Sequence, residues 1–406
     1  MENVTIEQFD LGARRLREFV RFAWRLYDGD AHWTPPLNGV LLGNRLLGMT
    51  GLLTADHPYH KHATVTHFLA RRDGEVVGRI SAAVNHRFNE YHGTKIGSFG
   101  FFEVVEDYEV AAALLDAARD WIVSQGMDAM RGPGEYSNAT HERQGILIHG
   151  FDTDPTVECT HNPPYYAEFL ERWGLGKVKD YVAYMAQIAE VPEKRLHALA
   201  ERARVREKIA IRPVDMSVFN EEVKRVIDIY NRAWADNWGC LPITEEEADT
   251  LADTLKPIGD PGLMFFSRYE KYVDTAMLGA FPDPNWALKP RWKWYGDSDL
   301  VRAVRLLRKR RRIPRIRLMF FGVVPGHRKL GTDALMYWTA FQHMKSHGYE
   351  QVEASLLLED NELIIRPSAA MSGKHYKTWR IYELAVGDEE RLAAGPEPAG
   401  ANDSLQ

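Results

Sequence analysis

One order of elements occurs twice along the 406-residue chain, and this repeat constrains the fold more than any other feature. In the first half, two β-rich runs flank Asp73-Gly74, a dipeptide typical of a hairpin. A strand, a helix, a strand, a helix and a closing strand follow, and the same order returns from residue 209 onward. The sequence therefore predicts two copies of one mixed α/β domain, in agreement with the number expected for this length.

The repeat and its flanking segments predict the domain boundaries. Leu16, Phe19, Val20, Ala23 and Trp24 recur at helical spacing and indicate a helix with one buried face near the N-terminus. The tail is polar and rich in Pro and Gly, which is typical of disorder. The predicted parts are a helical extension (1–60), a first lobe (61–192), a connector (193–208), a second lobe (209–386) with a basic insertion (286–314), and a disordered tail (387–406).

Composition excludes several classes of protein. The N-terminus, "MENVTIEQFD", is acidic and lacks the apolar core of a secretory signal, and no apolar run approaches the roughly 20 residues of a membrane span. Cys159 and Cys240 are too few for a disulfide framework and too isolated for a zinc site. We therefore expect a cytoplasmic protein with no metal and no permanently bound cofactor.

A basic turn stands between a strand and a helix in "VVPGHRKLGTDALMYW", which starts at Val323. Backbone N–H groups at a helix N-terminus, helped by Arg328 and Lys329, can hold a phosphate group. The alternative is an ordinary exposed turn.

The turn and its setting resemble the acyl-CoA loop of the GNAT superfamily of N-acyltransferases, in which a strand runs into R-x-x-G-x and a long helix. "RKLGT" matches the first two fixed positions, whereas Asp333 departs from the small residue usual at the third. Two lobes with one degenerate copy resemble mycothiol synthase and the Fem peptidyltransferases. The phrases "RLYDGDAHWTPPL", "GPGEYSNATHERQGILIHGF", "NPPYY" and "YNRAWADNWGCLP" resemble bacterial ceramide-synthase-type lipid N-acyltransferases.

This resemblance implies that acyl-CoA is a co-substrate lying between two splayed strands of the second lobe. The first lobe has Glu106, Asp107 and Glu109 where the basic turn should be, so it is expected to have lost CoA binding and to shape the acceptor pocket. The residues expected to bind acyl-CoA are Phe321, Gly322, Val323, Val324, Arg328, Lys329, Leu330, Gly331, Thr332 and Asn361.

The catalytic residues are less well defined by the sequence. The family often carries a Tyr about seven residues beyond the Asn that ends the splayed strand; here that count from Asn361 reaches Ser368, and Tyr376 is the other choice for the general acid. His141 and Glu142, in a polar loop, are the choices for the general base. The alternative for His141 and Glu142 is that they only organise the loop. Asn138, Tyr165 and Tyr166 are expected in the acceptor pocket, with core packing as the alternative for the two tyrosines.

The basic insertion belongs to a cationic island. Residues 291–317 contain eleven Lys or Arg against Asp297 and Asp299, a local charge of +9 in a chain of net charge −6. Leu300, Val301, Val304 and Leu307 fall on one helical face, beside Trp286 and other aromatic residues, which is the composition of an interfacial membrane helix. Packing of that face on the domain and contact of the arginines with CoA phosphates are the alternatives. A single basic island on an acidic body argues against nucleic-acid binding.

Taken with the resemblance, these features predict an N-acyltransferase that moves an acyl group from acyl-CoA to an amine, with a long-chain amino lipid as a candidate acceptor. The expected location is the cytoplasm, extending to the inner membrane face. Two other functions stay open: a Fem-like aminoacyl transferase, which would need no CoA loop, and a non-catalytic acyl-CoA or lipid-binding module at the membrane surface.

Overall fold

The computed structural model describes residues 4–136, 143–206, 208–269, 273–290 and 298–386. The first half of the chain forms β1 (Thr5–Phe9), α1 (Arg15–Leu26), α2 (Asn38–Leu42), β2 (Ala63–Arg72), β3 (Glu75–Asn85), α3 (His86–His92), β4 (Ile96–Val104), α4 (Tyr108–Ser124), β5 (Ala129–Gly134), β6 (Ile146–His149), α5 (Tyr165–Trp173) and β7 (Gly176–Gln187).

The second half begins with a helix at the predicted connector. Its elements are α6 (Glu193–Arg206), β8 (Ala210–Pro213), α7 (Phe219–Trp234), α8 (Glu245–Leu255), β9 (Met264–Tyr269), β10 (Val273–Pro282), α9 (Asn285–Leu288), α10 (Asp299–Lys309), β11 (Arg315–Val323), α11 (Thr332–Ser346), β12 (Gln351–Leu358), α12 (Glu362–Ala370) and β13 (Lys374–Ala385).

One continuous mixed sheet runs through both halves in the order β1-β2-β3-β4-β5-β13-β7-β12-β11-β10-β9-β8, with β6 paired to β13. Within the described part of the chain, β4–β5 and β11–β12 are the parallel pairs and the other neighbouring pairs are antiparallel. The order is symmetric about the β13–β7 pair. The predicted mixed α/β fold with two tandem copies is therefore confirmed.

The two closing strands are exchanged between the halves. β7, which ends the first half, pairs with β12 of the second half, and β13, which ends the chain, pairs with β5 of the first half. The segment predicted as a helical extension also contains β1, which pairs with β2. The domain boundaries stay a prediction, but the sheet itself is completed only when both halves are present.

Helices cover both faces of the sheet and bury its apolar side chains. The predicted apolar face of α1, from Leu16 to Trp24, is buried as expected. α4 and α5 form the core on the opposite face of the first half. In the second half, the apolar residues of α7 pack on one face of β10 and β11 and those of α11 pack on the other. Packing on both faces fixes the position of β11 and therefore the position of the opening between β11 and β12.

Candidate active site

β11 and β12 start as a parallel pair and then diverge. Their register runs from Arg315↔Gln351 to Leu318↔Ala354, and the later residues of the two strands are unpaired with each other. A cavity of about 440 Å³ occupies the opening and reaches from the loop after β11 to the first half of the chain. Strands that separate in this way leave backbone groups unpaired, and buried backbone groups need a partner.

The edge of β11 directs specific backbone groups into this cleft. Val324 N–H donates to Thr275 O at 2.9 Å on the β10 side, so the alternation of a strand turns Phe321 and Val323 toward the cleft. Trp234 Nε1–H donates to Phe321 O at 3.0 Å, and Arg328 Nε–H donates to Val323 O at 3.2 Å. Both carbonyls already accept a hydrogen bond from a side chain. The N–H groups of Phe321 and Val323 are therefore the backbone groups available to bind a ligand.

Glycine at position 322 allows α7 to lie close to this edge. A Cβ at Gly322 would stand 3.0 Å from the Cβ of Ala233, tighter than most such contacts. Ala233 and Trp234 therefore form a wall directly against the strand, and both line the cleft.

The loop after β11 ends at an uncapped helix N-terminus. Lys329 and Gly331 have positive φ, at 68° and 79°, and α11 begins at Thr332 with no side-chain cap. Its first N–H groups therefore lack intrahelical partners and favour an anion. His327, Arg328, Lys329, Thr332 and Asp333 line this end of the cleft.

Two residues of the loop have structural contacts. Besides Val323 O, the Arg328 guanidinium bonds Ala233 O at 2.9 Å, so it joins the loop to the end of α7. Leu330 packs against the apolar residues Ala200, Ala203 and Leu335. Lys329 is thus the loop cation best placed to meet a phosphate, whereas Arg328 positions the backbone around it.

The equivalent edge in the first half is filled by its own side chains. Strand β4 ends in Phe-Phe-Glu-Val-Val and β11 in Phe-Phe-Gly-Val-Val, which places Val104 at the position of Val323. Val104 N–H donates to the Tyr166 hydroxyl at 2.9 Å, and the Tyr165 hydroxyl donates to Val104 O at 2.8 Å. Tyr165 and Tyr166 thus pack at β4, and neither lines the cleft at β11.

The N-terminus of α4, the helix that follows β4 in the first half, is capped by a side chain of the protein itself. Asp107 accepts from the N–H groups of Glu109 and Val110 at 3.0 and 3.4 Å and pairs with Arg72 at 2.7 Å. Burial raises the pKa of Asp107, but the Arg72 guanidinium and the backbone N–H groups outweigh it and hold the pKa below its usual value. Asp107 therefore occupies the place that an anion would take at α4, in contrast to the uncapped α11.

A loop from the first half forms the inner end of the cleft. Val157 N–H donates to Asp283 Oδ1 at 2.9 Å, and the Arg317 guanidinium donates to Val157 O and, at 3.1 Å, to Ser355 Oγ. The next residue, Glu158, has φ of 60° and lines the cleft beside Gln144. Sequence reasoning missed Glu158, because no local pattern places a loop of the first half against β11.

Aromatic side chains form the side wall. Tyr181, Tyr230, Trp234 and Trp238 line the cleft. Tyr181 belongs to β7, and the other three come from the "YNRAWADNWGCLP" phrase. Burial raises the pKa of Tyr181, and burial together with Cys240 raises that of Tyr230 well above its usual value. Both hydroxyls are therefore protonated at neutral pH, and each is a weaker acid than a tyrosine in water.

The two predicted general acids lie elsewhere among the described residues. The Ser368 hydroxyl donates to Ile364 O at 2.8 Å within α12, and the side chain faces a separate small cavity. The Tyr376 hydroxyl donates to Glu353 Oε2 at 2.7 Å, and burial and Glu353 raise its pKa well above the usual value. Asn361 does line the cleft. Asn138, His141 and Glu142 lie outside the described residues.

Neither a metal cluster nor a membrane-spanning helix is found among the described residues. No cluster of three or more His, Cys, Asp or Glu that could hold a metal ion occurs within 4–136, 143–206, 208–269, 273–290 and 298–386. In those same ranges, none of the helices combines the length and apolar character needed to cross a bilayer.

Known structures share this architecture. The tandem GNAT protein from the clavulanic acid biosynthesis pathway superposes with a TM-score of 0.52 at 12% identity, covering 95% of this chain and 100% of that one. A GCN5-related N-acetyltransferase from Sphaerobacter thermophilus gives 0.51 at 11% identity, covering 94% and 96%. The glucosamine N-acetyltransferase region of a fungal β-N-acetylglucosaminidase gives 0.56 at 14%, covering 95% of this chain and 38% of that longer chain. The fold is thus that of the tandem GNAT acyltransferases.

Sequence comparison identifies the family within this class. The chain is 33% identical over 387 residues to the bacterial ceramide synthase of Caulobacter vibrioides, covering 91% of this chain and 95% of that protein. It is 29% identical over 388 residues to protein YghO of Escherichia coli, covering 93% and 94%. No family model matches. The chain belongs to the family of the bacterial ceramide synthase, which confirms the predicted resemblance.

Proposed function

We propose that this protein transfers an acyl group from acyl-CoA to the amine of a long-chain amino lipid, forming an amide. The single observation that carries the proposal is the opening between β11 and β12, which combines inward N–H groups of Phe321 and Val323 with an uncapped helix N-terminus. The kinship with a protein named a ceramide synthase supports the acceptor class, because a ceramide is an N-acylated long-chain amino alcohol.

In this proposal the donor lies along β11. The amides of its pantetheine arm bond the strand edge, and its pyrophosphate meets Lys329 and the first turn of α11. The thioester carbonyl lies near the divergence point, where a backbone N–H stabilises the oxyanion that forms on attack.

The inner end of the cleft supplies the proton chemistry. Glu158 is the proposed general base: it takes the proton from the acceptor ammonium, and the freed amine attacks the thioester carbon. The C–N bond forms, the C–S bond breaks, and the Tyr181 hydroxyl protonates the departing thiolate. The proton that the new amide nitrogen loses then restores the hydroxyl. Because the amine itself is the nucleophile, no covalent acyl-enzyme is required.

The test is an assay with a long-chain acyl-CoA and sphinganine that follows free thiol and detects the amide by mass spectrometry. We expect thiol release that depends on the amine, with one amide formed per thiol. Acyl-CoA binding without thiol release would identify a binding module instead. Transfer from aminoacyl-tRNA, with acyl-CoA inactive, would favour the Fem-like alternative.

A further inference from the structure

α10 is oriented opposite to an ordinary surface helix. Its predicted apolar face does not pack on the domain: Leu300, Val301, Val304 and Leu307 are 60%, 51%, 39% and 52% exposed, whereas Arg302 is fully buried. A soluble helix normally turns its apolar stripe inward. The interpretation in which this face packs against the domain is therefore wrong.

Buried Arg302 and half-buried Arg305 hold the helix in this orientation. Arg302 donates to the carbonyls of Pro35, Pro36 and Leu288 at 2.5, 2.8 and 3.1 Å, and its guanidinium lies 5.3 Å from the ring of Trp24. Arg305 donates to the carbonyls of Ala287 and Lys289 at 2.9 and 3.2 Å. Because a buried guanidinium is costly without such partners, the helix cannot turn over without losing them.

The start of the helix is fixed as well. Both carboxylate oxygens of Asp299 accept hydrogen bonds, from the N–H groups of Asn38 and Gly39 at 2.8 and 2.6 Å. These contacts join α10 to α2, and the short turn that follows α2 carries Leu46, which is 93% exposed.

Exposed cations flank the outward apolar face. Arg308, Arg310, Arg311 and Arg312 are exposed at the end of the helix, and Lys309 lies over the ring of Trp286, which is itself half-exposed, at 5.2 Å. Among the described residues that line the cleft, Arg317 is present but none of 302–312 is. These cations therefore lie outside the cleft that is proposed to hold acyl-CoA.

We propose that the outer face of α10 docks this protein on an anionic membrane surface. Leu300, Val301, Val304 and Leu307 enter the boundary between headgroups and acyl chains, and residues 308–312 meet anionic headgroups. A lipid surface fits better than a protein partner, because an apolar strip flanked by a dense cationic cluster matches the layering of an anionic leaflet. The inference stands apart from the proposed transfer reaction, although docking would bring a lipid acceptor to the enzyme.

Vesicle sedimentation tests the proposal without any assay of activity. The full-length protein should pellet with vesicles of mixed phosphatidylcholine and phosphatidylglycerol at low salt, bind less at high salt, and stay in the supernatant with pure phosphatidylcholine. Replacing Leu300, Val304 and Leu307 with Ser should lower the partition coefficient roughly tenfold or more. Replacing residues 308–312 with Ser should do the same and abolish the salt dependence.

A matched control removes apolar side chains that are exposed elsewhere, Val205, Val218 and Val273, by the same change to Ser. That variant should bind vesicles as the unmodified protein does. Circular dichroism and turnover of a soluble short-chain acyl-CoA should be unchanged in all three variants. Equal vesicle binding by the α10 variants, or a dimer in solution that the Leu300, Val304 and Leu307 changes dissociate, would overturn the proposal.

Discussion

The Tyr166 hydroxyl accepts a hydrogen bond from the backbone N–H of Val104 at 2.9 Å, at the position where the other half of the molecule has Val323. The same hydroxyl donates to Glu103 at 2.8 Å, and Tyr165 bonds Val104 O. In the first half, tyrosine side chains thus form hydrogen bonds with the backbone groups of Val104. In the second half, the equivalent strand edge lies along an open cleft. This difference between related positions, more than the acidic turn alone, explains why one donor site is expected rather than two.

Replacing Tyr166 with Phe should affect stability but not donor binding. The change leaves the Val104 N–H without its hydroxyl partner and removes one of the hydrogen bonds to the Glu103 carboxylate, which should lower the free energy of unfolding by about 1–3 kcal/mol. Urea denaturation and acyl-CoA titration calorimetry would measure the two effects. A weaker acyl-CoA affinity with unchanged stability would mean that the first half holds the donor.

Replacing Lys329 with Glu should weaken acyl-CoA binding by at least tenfold, about 1.4 kcal/mol. The reason is that a carboxylate beside the uncapped N-terminus of α11 would repel the pyrophosphate. The effect should shrink as salt is added. Glu106→Lys, in the turn before α4, is the matched control and should leave the affinity nearly unchanged; equal changes from both turns would contradict the assignment.

Glu158→Gln should lower kcat on the order of a hundredfold at neutral pH, with little change in KM for acyl-CoA, because the amide cannot accept the ammonium proton. Activity should recover as pH rises, since the acceptor amine then deprotonates in solution. Glu168→Gln is the control, because Glu168 is exposed on α5 and does not line the cleft. If both variants lose activity without pH rescue, Glu158 acts through structure.

Tyr230 should limit the length of the acyl chain. It lines both the cleft and an apolar cavity of about 100 Å³ beneath α7. Tyr230→Ala should join the two spaces and shift the preference for acyl-CoA toward longer chains, measured as kcat/KM across a chain-length series. Adding Ala248→Leu, in the wall of the cavity, should reverse the shift. An unchanged preference in both variants would place the chain elsewhere.

Acid should destabilise the fold through buried histidines. Burial lowers the pKa of His67 to about 3 and that of His57 to about 4, whereas both titrate near 6.5 when unfolded. The unfolded chain therefore binds more protons as pH falls from about 6.5 to 4, and each histidine should lower the free energy of unfolding by about 1.4 kcal/mol per pH unit in that range.

His67→Gln should flatten this dependence, measured by urea denaturation at several pH values. The glutamine amide can replace the contact of His67 Nε2 with the Tyr136 hydroxyl, which is 2.9 Å long. His92→Gln, at an exposed position, should leave the slope unchanged. A slope that persists in His67→Gln would assign the acid sensitivity to other groups.

The sequence alone predicted those features of this protein that depend on interactions between residues close together in the chain. The recurrence of hairpin, strand and helix predicted two copies of one fold, and the spacing of Leu16 to Trp24 predicted the buried face of α1, because periodicity follows from backbone geometry. The basic turn with Gly331 predicted an anion-binding helix start. The start of α11 lies at the mouth of the cleft, and anion binding there stays a prediction.

Tertiary structure decided everything that depends on contacts distant in sequence. Periodicity put Leu300, Val304 and Leu307 on one face of α10, but tertiary contacts turn that face outward. One of them is the hydrogen bond from Arg302 to Pro35 O, across 267 residues. Likewise, the exchange of β7 and β13 and the placement of Glu158 through Arg317 and Asp283 depend on pairing between the two halves of the chain. The spacing of residues along the sequence shows which side chains share one face of a helix or strand. The residues that this face contacts, or its exposure to solvent, are determined by the fold of the whole chain.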